Sequence, residues 1–185
     1  MSGTVKLGQF VKASTKKNKG LVCTDVYSVT NSAGFIPSTE YFSKEVFSSE
    51  LSGYKLVDSG AIAYNPSRIN VGSVAVQDKC EMAIVSPLYV VFKVDEHALL
   101  PEYVCRFLKS GPGQAQIAFR SSGTVRNNLK FDALCEMTIP LPSLEEQASE
   151  MGVLSGVEQQ IDLLRLWQRK LDELVKSRFS WEVAA

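Results

Sequence analysis

Two stretches of the sequence are rich in hydrogen-bonding side chains and contain no acidic residue. The first, residues 64–70 (YNPSRIN), combines an aromatic ring, two carboxamides and a guanidinium. The second, residues 120–130 (RSSGTVRNNLK), has three cations, three hydroxyls and two carboxamides around one glycine. These are the groups that bind phosphate oxygens and the edges of bases, and the glycine permits close backbone approach. Both segments are therefore candidate contacts to a polyanion.

The dipeptide Asn65-Pro66 raises the alternative of base methylation. Amino-methyltransferases grip a base with Asn/Asp-Pro-Pro followed by an aromatic ring, but Ser67 and Arg68 occupy those two positions here. The sequence also has no glycine-rich turn after a first strand, no P-loop, no zinc-protease helix and no nucleophile elbow. We therefore predict a chain that is not itself an enzyme and that binds no cofactor.

Composition and charge limit the partners, metal sites and cellular location that the chain can have. The net charge is zero, but residues 1–130 hold 15 Lys+Arg against 10 Asp+Glu, whereas residues 131–185 hold 5 against 10. A basic N-terminal part and an acidic C-terminal part indicate two different partners. The four cysteines are too widely spaced for structural zinc, and one histidine cannot form a His-rich site, so no metal is predicted. The absence of a signal peptide or an apolar span predicts a cytoplasmic location.

Hydrophobic patterning predicts β structure in the first half and helix in the second. Strands are expected at 21–30, 60–64, 71–77, 82–85 and 88–94, the last a buried central strand. Pro101 should begin a helix, Gly111-Pro112-Gly113 should end it, and a second short helix should follow at 114–119.

From Ser143 to Arg178 the sequence predicts one amphipathic helix of about 36 residues, roughly 54 Å long. Its apolar residues recur mostly at spacings of three or four residues: Met151, Leu154, Val157, Ile161, Leu164, Leu171 and Val175. A domain of about 140 residues has a radius of gyration near 14 Å, so part of this stripe must contact another helix. We favour an intermolecular coiled-coil-like seam; a hairpin bent at Gly152 and Gly156 is the alternative.

Four segments in this order resemble the specificity subunit of type I restriction–modification systems. They are GAIAYNPSR at 60–68, VSPLYVVF at 85–92, GTVR at 123–126 and IPLPSLEEQ at 139–147. The resemblance implies an α+β fold, with a mixed β-rich DNA target recognition domain at 1–142 and one long C-terminal coiled-coil-forming spacer or dimerisation helix at 143–185. In that family the spacer helices pair antiparallel, hold two recognition domains apart and dock methyltransferase subunits. This chain has one domain and one helix where a full subunit has two of each.

The resemblance implies a DNA-binding subunit that directs a methyltransferase and, through the complex, a restriction and motor subunit to a target site in phage defence. The expected contacts to double-stranded DNA are Lys16, Lys17, Lys19, Tyr64, Asn65, Arg68, Asn70, Arg120, Ser122, Thr124, Arg126, Asn127, Asn128 and Lys130. The expected homodimer or partner interface is Leu154, Val157, Ile161, Leu164, Leu171 and Val175. A non-catalytic dimeric protein-interaction module with a basic face, and a domain split from a nuclease–methyltransferase polypeptide, remain alternatives.

Overall fold

The computed structural model describes residues 3–41, 50–121 and 128–182 of the chain. The chain forms two compact units, Met1–Gln147 and Ala148–Ala185. The strands in these ranges are β1 (Thr4–Lys6), β2 (Val11–Ser14), β3 (Tyr27–Thr30), β4 (Gly34–Pro37), β5 (Lys55–Asp58), β6 (Ile62–Tyr64), β7 (Val74–Val76), β8 (Met82–Val85), β9 (Val90–Val94) and β10 (Thr138–Pro140). The α-helices are α1 (Ser38–Tyr41), α2 (Pro101–Lys109), α3 (Gly111–Ser121), α4 (Phe131–Cys135) and α5 (Leu144–Glu182). The fold is α+β, as predicted. No helix in the described ranges is long and apolar enough to span a membrane.

The centre of the first unit is an antiparallel sheet with the strand order β2-β9-β6-β7. β9 lies between two partners, with Val91 and Phe92 buried, which confirms the predicted buried central strand. Tyr64 faces Val90 on β9 and Val74 on β7, so the loop that follows β6 begins at this end of the sheet. The continuous apolar run of β9 reflects contact on both faces.

Two smaller sheets, β3-β4 and β5-β8, pack against this central sheet. One core cluster draws on all three sheets, because Val29, Phe35, Val57, Val85 and Val91 pack together with three buried alanines. The small alanines allow the sheets to approach closely. This packing fixes the turn between β3 and β4 relative to the loop after β6.

β1 and β10 pair antiparallel, from Thr4 opposite Pro140 to Lys6 opposite Thr138. Leu141 continues the ladder by donating its amide hydrogen to the carbonyl of Gly3 at 3.0 Å. The strand β1 was not predicted, because three residues with alternating partial exposure give too short a pattern. The first and last segments of this unit are therefore neighbours.

Several predicted boundaries are wrong for local reasons. The strand expected at 21–30 is reduced to β3, because the Asn18 side chain hydrogen-bonds both the N–H and the C=O of Cys23 and holds residues 19–23 in a loop. The strand expected at 71–77 starts only at Val74, since Val71 belongs to a 3-10 turn that ends at Gly72 with φ +86°. Glycine adopts this left-handed conformation without steric cost.

Pro101 begins α2 as predicted, but the break comes at Ser110 and not at Gly111-Pro112-Gly113. These three residues form the first turn of α3, where proline is tolerated because its missing N–H has no partner there. A Cβ at Gly113 would lie 2.0 Å from the carbonyl oxygen of Phe107, so only glycine fits against the end of α2.

Helix α5 has 39 residues, about 58 Å of helix. Ser143, where the predicted helix begins, caps it: Glu146 N–H donates to Ser143 Oγ at 3.2 Å, and Ser143 N–H donates to Glu146 Oε2 at 2.8 Å. This reciprocal capping box satisfies amide groups that the first turn leaves without partners. These hydrogen bonds from Ser143 lower the pKa of Glu146.

Gln147 is the buried polar residue of this first turn. Its Oε1 accepts from the Leu100 amide at 2.9 Å, and its Nε2 donates to the carbonyls of Ala98 and Pro142 at 2.9 and 3.0 Å. One carboxamide thus hydrogen-bonds three backbone groups that lie outside the regular sheets and helices. The side chain therefore fixes the start of α5 to the segment before α2.

Candidate nucleic-acid interface

The two polar segments lie side by side in the structure as far as both are described. The Leu129 amide donates to the Pro66 carbonyl at 3.2 Å, and Ser67 Oγ donates to Asn128 Oδ1 at 2.6 Å. The Tyr64 hydroxyl donates to the Leu129 carbonyl at 3.1 Å. Three hydrogen bonds across about 60 residues of sequence therefore combine the segments into one surface.

The loop after β6 is held by its own hydrogen bonds. Asn65 Oδ1 accepts from the Ser67 amide at 3.0 Å, and the Asn65 amide donates to the Ser73 carbonyl at 3.1 Å. The Arg68 amide donates to the Asn65 carbonyl at 3.0 Å, which closes a turn around Pro66. Asn65 therefore uses its side-chain oxygen locally, whereas its NH₂ group makes no hydrogen bond to a residue of the described ranges.

A cleft of about 450 Å³ opens between this loop and the turn that joins β3 to β4. A Cβ at Gly72 would lie only 3.6 Å from the Cβ of Asn31, so the two loops approach closely at its edge. Ser28, Val29, Thr30, Asn31, Asn65, Arg68, Val71, Ser73 and Tyr89 line the cleft.

Polar groups inside the cleft are hydrogen-bonded to one another. Ser73 Oγ donates to the Val29 carbonyl at 2.7 Å, and the Val29 amide donates to the Tyr89 hydroxyl at 3.3 Å. At the rim stand Asn31, Asn65 and Arg68, and no hydrogen bond joins the Asn31 or Arg68 side chain to another residue of the described ranges. A guanidinium and two carboxamides are the groups that read guanine and adenine in the major groove.

Tyr64, predicted to contact DNA, belongs to the core instead, which corrects that assignment. It is 0% exposed, and its ring packs edge-on against Phe92 at a centroid distance of 6.2 Å. Burial raises the pKa of its hydroxyl, which stays protonated and donates to Leu129. The residue supports the interface from below, because β6 has a strand on each side and its side chains point into packed layers.

The other predicted polar residues occupy three kinds of position. Arg68, Asn70 and Lys130 are exposed, and Asn128 is half-buried. Arg120 is partly covered: its guanidinium donates to the carbonyl of Glu136 and lies 5.9 Å from the Phe119 ring centroid. That contact ties α3 to the end of α4. The predicted contacts Ser122, Thr124, Arg126 and Asn127 lie outside the described residues.

The N-terminal lysines Lys16, Lys17 and Lys19 are exposed but have different surroundings. The Lys16 ammonium lies 3.4 Å from Asp58 Oδ2, which Lys93 also contacts at 2.8 Å. The hydrogen bond from Lys93, reinforced by the charges of both lysines, lowers the pKa of Asp58. Lys17 instead lies opposite Lys55 in an antiparallel bridge.

The described side chains that could bind a metal ion or react as thiols do not cluster. Within the described part of the chain, no group of three or more His, Cys, Asp or Glu side chains is arranged to hold a metal ion. Cys105 is buried, which raises its thiol pKa to about 12, and His97 is exposed. A thiol that is protonated at neutral pH behaves as a small apolar core group.

Helix α5 carries a second candidate surface. The predicted stripe residues are each 36% exposed or more: Leu154, Val157, Ile161, Leu164, Leu171 and Val175. Their spacings of three and four residues form a heptad seam that is interrupted once, at Gln168. A single polar residue in such a seam favours one register over others.

Comparisons with known proteins agree with this architecture. The HsdS subunit from Thermoanaerobacter tengcongensis is similar with a TM-score of 0.65 and 18% identity, over 88% of this chain and 43% of that chain. A structure described as the basis of complex assembly and conformational transition of the type I R-M system is similar with a TM-score of 0.62 and 16% identity, with the same two coverages. The chain thus spans less than half the length of these relatives, which show its fold.

Sequence comparison supplies the family. No curated protein sequence matches the chain. The family model described as type I restriction modification DNA specificity domain matches residues 3–173, which include nearly all of the β-rich unit and most of α5. The chain therefore belongs to the family of type I restriction modification DNA specificity domains.

Proposed function

We propose that this chain is the DNA sequence-recognition component of a type I restriction–modification system and performs no catalysis itself. The observation that carries the proposal is the cleft rim of Asn31, Asn65 and Arg68, which adjoins the segment 128–130 in a member of this family. The rim presents hydrogen-bond donors on a loop whose backbone is held by its own hydrogen bonds above the packed sheets. A rigid set of donors and acceptors is what sequence discrimination requires.

The individual residues divide between bases and phosphates. Arg68 is suited to a guanine, since a guanidinium donates two parallel hydrogen bonds to O6 and N7. Asn31, Asn65, Asn70 and Asn128 are candidate readers of adenine or of other base edges. Lys130 and the N-terminal lysines are candidate phosphate contacts, which position the domain without regard to sequence.

The seam on α5 supports a homodimer as the working unit. An exposed apolar stripe on one helix is satisfied by a two-fold contact with the same stripe on a second copy. An antiparallel pair would hold two recognition domains apart by up to about 58 Å, between one and two turns of duplex at about 35 Å per turn. We propose that the methyltransferase subunit, and through the complex the restriction subunit, assemble on this helix pair.

Selection from a random duplex library with the full-length chain tests the proposal. We expect an enriched motif, and Arg68→Lys should lose discrimination at one base pair because an ammonium cannot form the bidentate contact. A good bidentate pair discriminates by about 1–3 kcal/mol, or roughly 5- to 150-fold. Affinity for random duplex should stay the same, since the charge is kept.

The outcomes separate this proposal from the alternative of a protein-interaction module. Binding to polyanions in general, with no enriched motif for the wild-type chain, would favour the module and refute sequence recognition. Methylome sequencing of host cells with and without the gene provides the second test. A modified motif that disappears with the gene supports a role in directing methylation.

A further inference from the structure

Lys17 and Lys55 form a pair of like charges on adjacent extended segments. The Leu56 amide donates to the Lys16 carbonyl, and the Asn18 amide donates to the Tyr54 carbonyl, both at 2.9 Å. Residues 16–18 therefore run antiparallel along β5, with Lys17 directly opposite Lys55. Directly opposite residues point to the same face with Cβ atoms about 5 Å apart. Their two ammonium groups thus share one surface.

This pair has no carboxylate partner in the described ranges, unlike its neighbours. Asp58 contacts both Lys16 and Lys93, whereas no ion pair between described residues involves Lys17 or Lys55. The Lys55 ammonium donates to a backbone carbonyl, that of Tyr89, at 2.6 Å. Burial, and then the charge of Lys17, lower the pKa of Lys55. Opposed like charges destabilise a sheet, and an anion between them would remove this cost.

The pair also adjoins the cleft. Tyr89 accepts the Lys55 ammonium at its carbonyl oxygen, and its hydroxyl accepts from Val29 in the lining of the cleft. One residue therefore connects the lysine pair to the surface that carries Asn65 and Arg68.

We propose that Lys17 and Lys55 together bind a phosphodiester of the DNA backbone beside the cleft. This inference rests on the proposed function, and it adds Lys55, which sequence patterning did not single out. It also assigns the phosphate contact to Lys17 and not to Lys16, because Lys16 already has a carboxylate partner in Asp58. An ammonium acts as a point charge, so this contact sets the register of the domain on the duplex and contributes no base preference.

The test is the salt dependence of duplex binding by the full-length chain. Fluorescence anisotropy with a labelled random-sequence duplex, repeated with the motif found by selection, gives the slope of log K against log salt. Each phosphate contact contributes about 0.9 to this slope. Because the two lysines share one phosphate, the double variant Lys17→Gln/Lys55→Gln should reduce the magnitude of the slope by about 0.9 and weaken binding about eightfold at 0.1 M salt. Lys17→Gln and Lys55→Gln alone should each produce a part of this reduction. Lys55→Arg should retain the wild-type slope.

Lys79→Gln is the matched control, since it removes the same charge. Lys79 is paired with Asp78 at 3.2 Å and lies in the loop that follows β7, the opposite end of the β6–β7 ladder from Tyr64. Equal slopes for Lys17→Gln, Lys55→Gln and Lys79→Gln would overturn the phosphate site. A changed motif in Lys55→Gln would also overturn it, by making the residue a base reader. Wild-type chain that binds no duplex would refute the proposed function itself.

Discussion

The substitution Leu164→Asp tests the seam on α5 most directly. Leu164 is 69% exposed, and burying a whole leucine side chain stabilises by about 1.5–3 kcal/mol. The accessible part therefore contributes about 1–2 kcal/mol per copy. A two-fold contact contains the residue twice, so the loss is about 2–4 kcal/mol, or roughly 30- to 1000-fold in Kd. Burial of two carboxylates in an apolar contact increases this further.

Light scattering coupled to size exclusion measures the outcome. The wild-type chain should elute at twice 20.4 kDa and Leu164→Asp at the monomer mass. Leu166→Asp is the matched control, since it changes the same residue type two positions on, about 200° around the helix. Leu166 is 40% exposed, and its variant should remain dimeric. A wild-type mass for Leu164→Asp, or monomers in both variants, would refute a seam on this face.

Three further substitutions test the structural basis of the interface. Gln147→Ala removes three buried hydrogen bonds and should lower the free energy of unfolding in urea by about 2–4 kcal/mol; a change under about 0.5 kcal/mol would contradict this role. Tyr64→Phe leaves the Leu129 carbonyl without its donor and should cost about 1–2 kcal/mol, while the salt slope of DNA binding stays unchanged because the ring does not face the duplex. Asp58→Asn removes the ion pairs with Lys93 and Lys16 and should cost about 1 kcal/mol or less at pH 7. Since the folded pKa of Asp58 is lowered, its stabilisation is present at neutral pH and is lost as pH falls through that pKa, so unfolding curves of variant and wild type should converge in acid.

The parts of the fold that sequence predicts are those set by local patterns. The continuous apolar run of β9, Pro101 at the start of α2, and the Ser143–Glu146 capping box each act within a few residues. Their structural outcome therefore agrees with the pattern. The predicted strand at 21–30 begins only at Tyr27, because Asn18, outside the pattern, binds the backbone of Cys23 and favours a loop over a ladder.

The candidate site is predictable only in part, since it depends on contacts between distant segments. Arg68 and Asn65 stand out by composition, but Asn31 reaches the cleft only because the β3–β4 turn packs beside Gly72. Lys55 likewise joins Lys17 only through strand register. Tyr64 has the residue type of a nucleic-acid contact and a buried position, which only the sheet order reveals.

The pairing of β1 with β10 has a consequence for how such a domain can be exchanged. Because Gly3 and Leu141 are hydrogen-bonded neighbours, the polypeptide enters and leaves the β-rich unit at one place. A different recognition domain with the same two terminal strands could replace this one by recombination at two short sequences, without a change in the helix that follows. The choice of DNA target would then depend only on the exchangeable domain and would be inherited separately from subunit assembly through the helix. New specificities could arise by domain exchange as well as by point mutation.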